Sequence, residues 1–257
     1  MSFPEAEKAR RQLRSDYLLT ALGLIAVIIC FYAFGPAAAA IAALLTAAYY
    51  VLVARKSSQS FLQKVWALRL SRLTGHSGTL RLLRGREIPS LESLREQLEL
   101  PASSVQGIVR QAMCFTGEDL ILTAADLNYP VPLVDKTLAT VSGCCLLLER
   151  DTFQGPLRTY RSTKAFPYET APKGYVPFSE DYLVKGTPQP GDDALLRKLE
   201  ALPSPTAVLE LGSGRASVFL AGKLLGAWRP DLKKSIAESS EDPRLLPELP
   251  VLCGYNQ

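Results

Sequence analysis

The stretch Tyr17–Ala54, YLLTALGLIAVIICFYAFGPAAAAIAALLTAAYYVLVA, decides the architecture, because its 38 residues carry no charged side chain. As a single α-helix it would extend roughly 57 Å, about twice the ~30 Å hydrocarbon core of a bilayer. Gly35-Pro36 lies in its middle, where proline removes a backbone donor and glycine permits a turn. We therefore predict a transmembrane helical hairpin in residues 1–56, with spans at about 17–34 and 36–53.

Two alternative interpretations of this apolar stretch fit it less well. A signal peptide has one apolar region of about 7–15 residues and a cleavage site, whereas this stretch is longer and doubled. A core helix that is apolar on all sides over this length would be unusual in a chain of 257 residues. The second span is rich in alanine, and small residues let two helices pack closely. A hairpin explains that composition.

The charges around the hairpin predict its orientation. Basic residues flank both ends of the hairpin, and its turn has none. By the positive-inside rule, both termini and the soluble domain then lie on the cytoplasmic side, or on the stromal side in a plastid. The basic residues that follow the second span are expected to bind anionic lipids at the membrane surface. They are Arg55, Lys56, Lys64, Arg69 and Arg72. Phe61–Leu73 in the same region predicts an amphipathic helix that lies on the membrane or extends the second span.

The rest of the composition is that of an ordinary globular domain. Hydrophobic residues make up 47% of the chain and charged residues 21%, which excludes a wholly disordered protein. The five cysteines lack metal-ligand spacing, and we expect free thiols that pack in the core. The adjacent Cys144 and Cys145 would point to opposite faces of a strand. His76, the only histidine, is expected to be a solvated loop residue. We therefore predict no metal and no cofactor.

Residues 57–113 combine a basic linker helix with a pattern that resembles a helix-turn-helix. Ser90 can cap a first helix with a leucine stripe, and Pro101 opens a second helix that reaches Met113. Glu99 stands where a turn glycine is common. In a winged-helix DNA reader, the candidate contacts would be Ser103, Ser104, Gln106 and Arg110. Because only one of them is basic, we favour a structural pair of helices or a protein-binding winged helix over DNA binding.

Residues 114–257 predict a soluble α+β domain with a mainly antiparallel sheet. The predicted strands are Asp119–Ala124, Val131–Val134, Leu138–Glu149, Leu157–Thr163, Thr206–Leu211 and Ala216–Ala221, with a helix at Asp192–Leu202. A turn at Asn128-Tyr129-Pro130 is expected to separate the first two strands, and the proline-rich tail is expected to be irregular.

One string in this domain, Val208–Gly214 (VLELGSG), resembles the glycine-rich motif of methyltransferases that bind S-adenosylmethionine. There, a strand ends in an acidic residue and a glycine turn that holds the cofactor. Only 43 residues follow Gly214, too few for the remaining βα units of about 30 residues each. We therefore predict a hairpin turn at this position rather than a cofactor loop.

The chain contains, in order, two spans, a short linker, Phe115-Thr-Gly-Glu-Asp119, Leu146–Gly155, Phe178-Ser-Glu-Asp-Tyr-Leu-Val184, a leucine-rich helix and a strand pair. This order of segments resembles an uncharacterised bacterial family of double-spanning membrane proteins, known as a domain of unknown function. The resemblance covers about residues 114–228 and the hairpin. It implies a membrane anchor with a soluble domain, and it brings no catalytic residues.

These features favour a non-enzymatic, membrane-anchored accessory, scaffold or assembly factor. Its soluble domain would bind a protein partner, such as a membrane protein complex. The alternative is a membrane-tethered, winged-helix-like transcription regulator that binds DNA. An enzyme that uses Cys144 or a pair of carboxylates has the least support, because no complete catalytic motif is present.

Overall fold

The computed structural model describes residues 3–100, 107–132, 137–161, 173–179, 182–188, 191–202, 206–222, 225, 232 and 246–254. These residues form an α+β protein with an N-terminal helical region and a mainly antiparallel sheet, which confirms the predicted fold class at that level. They divide into two compact units. The first contains the helices up to Arg69, and the second begins at Leu70 and contains the sheet.

The N-terminal helices reverse direction at Gly35-Pro36, as the sequence predicts. Helix α1 is Phe3–Phe34 and helix α2 is Pro36–Tyr49. Gly35 has φ of 84°, a left-handed conformation that glycine adopts without strain, and Pro36 occupies the first turn of α2. A π-helical turn, Tyr50–Ala54, then leads into α3, Arg55–Thr74. The predicted helix Phe61–Leu73 lies in α3, which extends the second helix. It is not amphipathic as expected, because residues 65–70 are all buried.

Small side chains let α1 and α2 approach closely. A Cβ on Gly23 would lie 2.7 Å from Oγ1 of Thr46, so only glycine fits there without a shift. At the base of the pair, Oδ1 of the buried Asp16 accepts hydrogen bonds from Tyr49 (2.9 Å) and Gln12 (3.1 Å). Two helices of the described residues, Pro4–Phe34 and Pro36–Thr74, are long and apolar enough to cross a membrane.

One antiparallel sheet of nine strands organises the second unit among the described residues. The strands are β1 (Gly78–Leu82), β2 (Ile108–Gly117), β3 (Ile121–Pro132), β4 (Leu138–Glu149), β5 (Leu157–Tyr160), β6 (Val176–Pro177), β7 (Leu183–Gly186), β8 (Thr206–Gly212) and β9 (Arg215–Ala221). Their order is β1-β2-β3-β4-β9-β8-β5-β7-β6. The other α-helices among the described residues are α4 (Leu91–Gln97), α5 (Asp192–Glu200) and α6 (Glu248–Cys253).

The core lies on both faces of the central strands. On one face, Leu94 and Leu98 of the α4 region join Leu127, Tyr129 and Phe219 in a buried cluster. The opposite face buries further apolar side chains of the same strands, including Leu122, Leu146 and Val218. Strands buried on two faces carry near-continuous apolar runs, and such runs predict the strands well here.

The predicted pair of helices in residues 89–113 is only half correct. Helix α4 forms, and Oγ of Ser90 accepts a hydrogen bond from the Ser93 backbone N–H at 3.0 Å, as expected of a cap. The second helix is wrong for Ile108–Met113, which lies in β2 and pairs with β1 and β3. Spaced apolar residues fit a helix and a strand almost equally, and pairing with two neighbours favours the strand.

Two further predictions are wrong. The expected turn at Asn128-Tyr129-Pro130 is instead part of β3, which runs unbroken to Pro132. The pairing with β2 ends at Asn128, so Pro130 needs no backbone donor on that side. In the tail, α6 forms where irregular structure was expected. The strand Leu138–Glu149 and a helix from Asp192 are confirmed.

Candidate functional site: a charged groove at one end of the sheet

A groove of about 1010 Å³ lies where three connections of the sheet meet. They are the β2–β3 turn, the segment that follows β4, and the β8–β9 turn. In an antiparallel sheet, the end of one strand lies beside the start of its neighbour. The β2–β3 turn, the end of β4 and the β8–β9 turn therefore lie at the same end of the sheet, although they are far apart in sequence. All of the described lining belongs to the sheet-containing unit.

Asp119 links two basic side chains at the edge of the groove. Its Oδ1 lies 2.9 Å from Nδ1 of His76, and its Oδ2 lies 3.2 Å from Nη2 of Arg150. Arg150 also donates a hydrogen bond to the carbonyl of Cys253. The Arg150 side chain is only 8% exposed. This junction ties the β2–β3 turn to the β4 end and the C-terminal helix. His76 lies in the loop between α3 and β1, as expected, but its side chain is only 21% exposed and pairs with Asp119 instead of being fully solvated.

Backbone hydrogen bonds hold the turns in place. The N–H of Arg150 donates to the carbonyl of Gly214 at 2.9 Å, and the N–H of Gly214 donates to the carbonyl of Phe153 at 2.9 Å. Gly214 has φ of 71°, which a side chain would strain. Ser213-Gly214 is thus the turn of the β8–β9 hairpin, which confirms the prediction for this string.

A row of polar residues crosses neighbouring strands beside the groove. In register, Lys185 pairs with Arg158, Arg158 with Glu210, and Glu210 with Ser217. Arg158 donates from Nη2 to Oε1 of Glu210 at 2.9 Å. Gln97, at the end of α4, donates to Oγ of Ser217 at 2.5 Å. The row connects the groove wall to the end of α4.

Glu99 closes this network from a strained position. It has φ of 48°, the only positive φ of a non-glycine residue in the described part of the chain. The N–H of Glu99 bonds to the carbonyl of Glu96, and that of Leu100 bonds to the carbonyl of Arg95, the pattern of a Schellman cap. Glycine usually occupies such a position, so the carboxylate of Glu99 is present despite a backbone cost.

The Glu99 carboxylate gathers donors from three other segments. It forms an ion pair with Arg158, lies 3.3 Å from Nζ of Lys185 and 3.4 Å from the hydroxyl of Tyr175. Burial alone would raise the pKa of Glu99, but Arg158 and Lys185 beside it lower that pKa below its ordinary value. Burial and the Glu99 charge raise the pKa of Tyr175 to about 12. At neutral pH, the Glu99 carboxylate is therefore charged and the Tyr175 phenol is neutral.

The groove lining is predominantly acidic. Its described carboxylates are Glu118, Asp119, Glu149, Asp151 and Glu210. Its described cations are Arg150 and Arg215, of which the first binds Asp119 and the second lies 3.7 Å from Glu149. The arrangement offers charged and hydrogen-bonding groups to a polar ligand.

The cysteines do not contribute to the groove. Cys144 and Cys145 have no exposed surface, and burial followed by the charge of Asp126 raises the pKa of both thiols. A thiol of this kind is a poor nucleophile because the thiolate is the reactive form. Within the described ranges, no group of three or more His, Cys, Asp or Glu side chains is placed to hold a metal ion.

The basic residues predicted at a membrane surface differ in exposure. Arg55, Lys56 and Arg72 are exposed, and Lys64 is half-buried. Arg69 is 1% exposed, with its guanidinium 5.8 Å from the ring centroid of Trp66, so its assignment to a surface is wrong. Lipid binding by the others stays a prediction.

The predicted DNA contacts do not form a site in the described structure. Arg110 is an exposed residue of β2, not part of a recognition helix. Ser103, Ser104 and Gln106 lie outside the described residues. Sequence reasoning missed the groove, although the charged turn residues Glu118, Asp119 and Asp151 beside apolar strands were a weak signal for it.

A comparison of the chain with known protein families, curated proteins and solved structures finds no significant match.

Proposed function

We propose that this protein is a membrane-anchored accessory or assembly factor whose sheet domain binds a protein partner. In this proposal, α1 and α2 form the membrane hairpin. Both ends of the hairpin and the sheet domain lie on the cytoplasmic, or stromal, side. The accessible basic residues next to the hairpin, which are Arg55, Lys56, Lys64 and Arg72, bind anionic lipid headgroups.

The observation that carries the proposal is the outward surface of the two long helices. Among the described residues, the exposed large apolar side chains lie between Tyr17 and Val53, except for Ile108, Ile121, Leu138 and Val176. Monomeric soluble proteins rarely expose an apolar surface of this size, whereas a bilayer covers it at no cost. The close packing at Gly23 is typical of helix pairs in membranes.

The groove supports partner binding by the sheet domain. It is wide and open, and its walls are held by side-chain and backbone hydrogen bonds from several segments. A preformed polar surface of this kind binds with little ordering cost, which favours a recognition role. The transcription-regulator alternative receives no such support, because its predicted second helix is replaced by β2 where the structure describes it.

The proposal is tested with the full chain in its native membrane. Anchoring predicts that the protein stays in the membrane after an alkaline carbonate wash. Partner binding predicts that, after digitonin solubilisation, it migrates on a native gel in an assembly well above its own 28.0 kDa and its micelle. Recovery only as a free monomer at natural expression levels would contradict the accessory role, and release by carbonate would contradict the anchor.

A further inference from the structure

The groove differs in charge from the chain as a whole. The protein carries a formal net charge of +4. The groove lining described above has five carboxylates against two guanidinium groups, and both guanidinium groups already face a carboxylate. Glu118 and Asp151 are exposed and form no ion pair within the described part of the chain. A ligand that enters this groove therefore meets uncompensated negative charge.

The second observation concerns two polar atoms in the wall of the groove that lack hydrogen-bond partners. Nε of Arg150 and Oε2 of Glu210 are buried atoms in its wall without a hydrogen-bond partner among the described residues. The Arg150 side chain is nine-tenths buried, so water does not freely replace the missing acceptor. Both atoms are covered in this structure, so a ligand pairs with them only where the adjoining side chains move aside; it would then accept a hydrogen bond from Nε of Arg150 and donate one to Oε2 of Glu210. Main-chain carbonyl and N–H groups of a peptide supply both.

From these two observations, we infer that the groove binds an extended protein segment rich in lysine and arginine. This inference rests on the proposed function and names the chemistry of the partner. A domain anchored at the cytoplasmic face meets the loops of neighbouring membrane proteins, and those loops carry an excess of Lys and Arg. An acidic groove is repelled by anionic headgroups and attracts such loops, which gives selectivity for protein over lipid.

The test uses the full chain in non-ionic detergent and a fluorescein-labelled twelve-residue peptide with six Lys and Arg residues separated by Ser and Ala. A second peptide has Gln in place of every Lys and Arg. Binding is followed by fluorescence anisotropy over a range of salt concentrations. The key variant is Glu118→Gln with Asp151→Asn, which removes the two carboxylates that have no ion pair. Its matched control is Glu96→Gln with Asp193→Asn, the same charge change at exposed helix positions outside the groove.

We expect the basic peptide to bind in a salt-dependent manner and the Gln peptide to bind at least tenfold more weakly. The groove variant should lose about tenfold in affinity, whereas the control variant should stay within about twofold of the original chain. A charge reversal, Glu118→Lys with Asp151→Lys, should instead bind a peptide rich in Glu. This gain of binding also shows that the altered groove is folded.

Three outcomes would overturn the inference. The first is that the basic peptide does not bind. The second is that the groove and control variants lose affinity for the peptide equally. The third is that spermidine binds as tightly as the peptide, which would assign the groove to small polyamines. If the peptide fails to bind while the native chain still migrates in a membrane assembly, the chemistry of the partner is wrong and the accessory role stands.

Discussion

At the scale of single residues, two variants of Glu99 can distinguish the cost of backbone strain from the stabilisation by side-chain contacts. Its position at the end of α4 suits glycine, yet its carboxylate binds Arg158 and Lys185. Glu99→Ala removes the carboxylate and keeps the strain, whereas Glu99→Gly removes both. We expect the Gly variant to be more stable than the Ala variant by about 1 kcal/mol. Thermal unfolding in detergent, followed by circular dichroism, measures the difference. Equal stabilities would show that the backbone is not strained there.

The same carboxylate predicts a pH dependence. The pKa of Glu99 is lower in the folded protein than in an unfolded chain, so its contribution to stability is present above the unfolded pKa of about 4.3. That contribution is lost as the pH falls through the lower folded pKa. The Tm difference between the original chain and Glu99→Gln should therefore be constant from about pH 5 to 7 and shrink below about pH 4. A difference that grows toward acid would contradict this assignment.

Sequence reasoning identified the unusual position of Glu99 but not its partners. In the sequence, Glu99 occupies a turn position where glycine is common. Arg158 and Lys185 lie on strands β5 and β7, and only the register of the sheet places them beside Glu99. The same reason explains why the partner of His76 was missed, since Asp119 lies in another turn. Long-range pairs of this kind leave no periodic signal in a single sequence.

At the scale of elements, Asp119 is expected to hold the groove turns together. Asp119→Asn keeps the size of the side chain and removes the charge that faces the buried Arg150. We expect a loss of about 1–2 kcal/mol in stability, less than for a fully buried ion pair because Asp119 itself is half-exposed. Glu118→Gln, next to it and without an ion pair in the described structure, is the control and should be near neutral. Equal effects of the two variants would show that the junction is not a stabilising contact.

The contact between α1 and α2 gives a prediction for the hairpin. Gly23→Ala would place a methyl group 2.7 Å from Oγ1 of Thr46, so the two helices must separate or shift. The variant should unfold at a lower temperature in detergent. Thr46→Ala removes the two nearest atoms, and the Gly23→Ala, Thr46→Ala pair should recover much of that loss. Additive losses in the double variant would indicate that the helices do not pack at Gly23.

An element can be predicted from sequence when the residues that determine its conformation are close together in the chain. The hairpin turn follows from Gly35-Pro36 alone, and a strand such as Leu138–Glu149 follows from a long apolar run. In contrast, β2 has apolar residues at spacings that also suit a helix. Its pairing with β1 and β3 determines its conformation, and that pairing is a property of the folded sheet. The groove is harder still to predict from sequence, because it forms where three separate connections meet at one end of the sheet.

At the scale of the whole molecule, the charge pattern predicts the topology of the chain in a membrane. The basic residues before the apolar part of α1 and after α2 predict that both ends lie on one side, with the uncharged turn on the other. The test uses variants that each carry one accessible cysteine, in a background where the half-buried Cys30 and Cys114 are replaced by serine and the buried Cys144, Cys145 and Cys253 are kept. One reporter, Phe34→Cys, lies at the turn, and the other, Thr79→Cys, lies on the exposed side of β1.

In sealed, right-side-out vesicles, a membrane-impermeant maleimide should label Phe34→Cys directly and Thr79→Cys only after detergent is added. In inside-out vesicles the order should reverse, which controls for differences in thiol reactivity. Labelling of both reporters from one side would show that the hairpin lies on the membrane without crossing it. The reversed order in right-side-out vesicles would place the sheet domain on the opposite face, and the basic loops predicted to enter its groove would then not be available there.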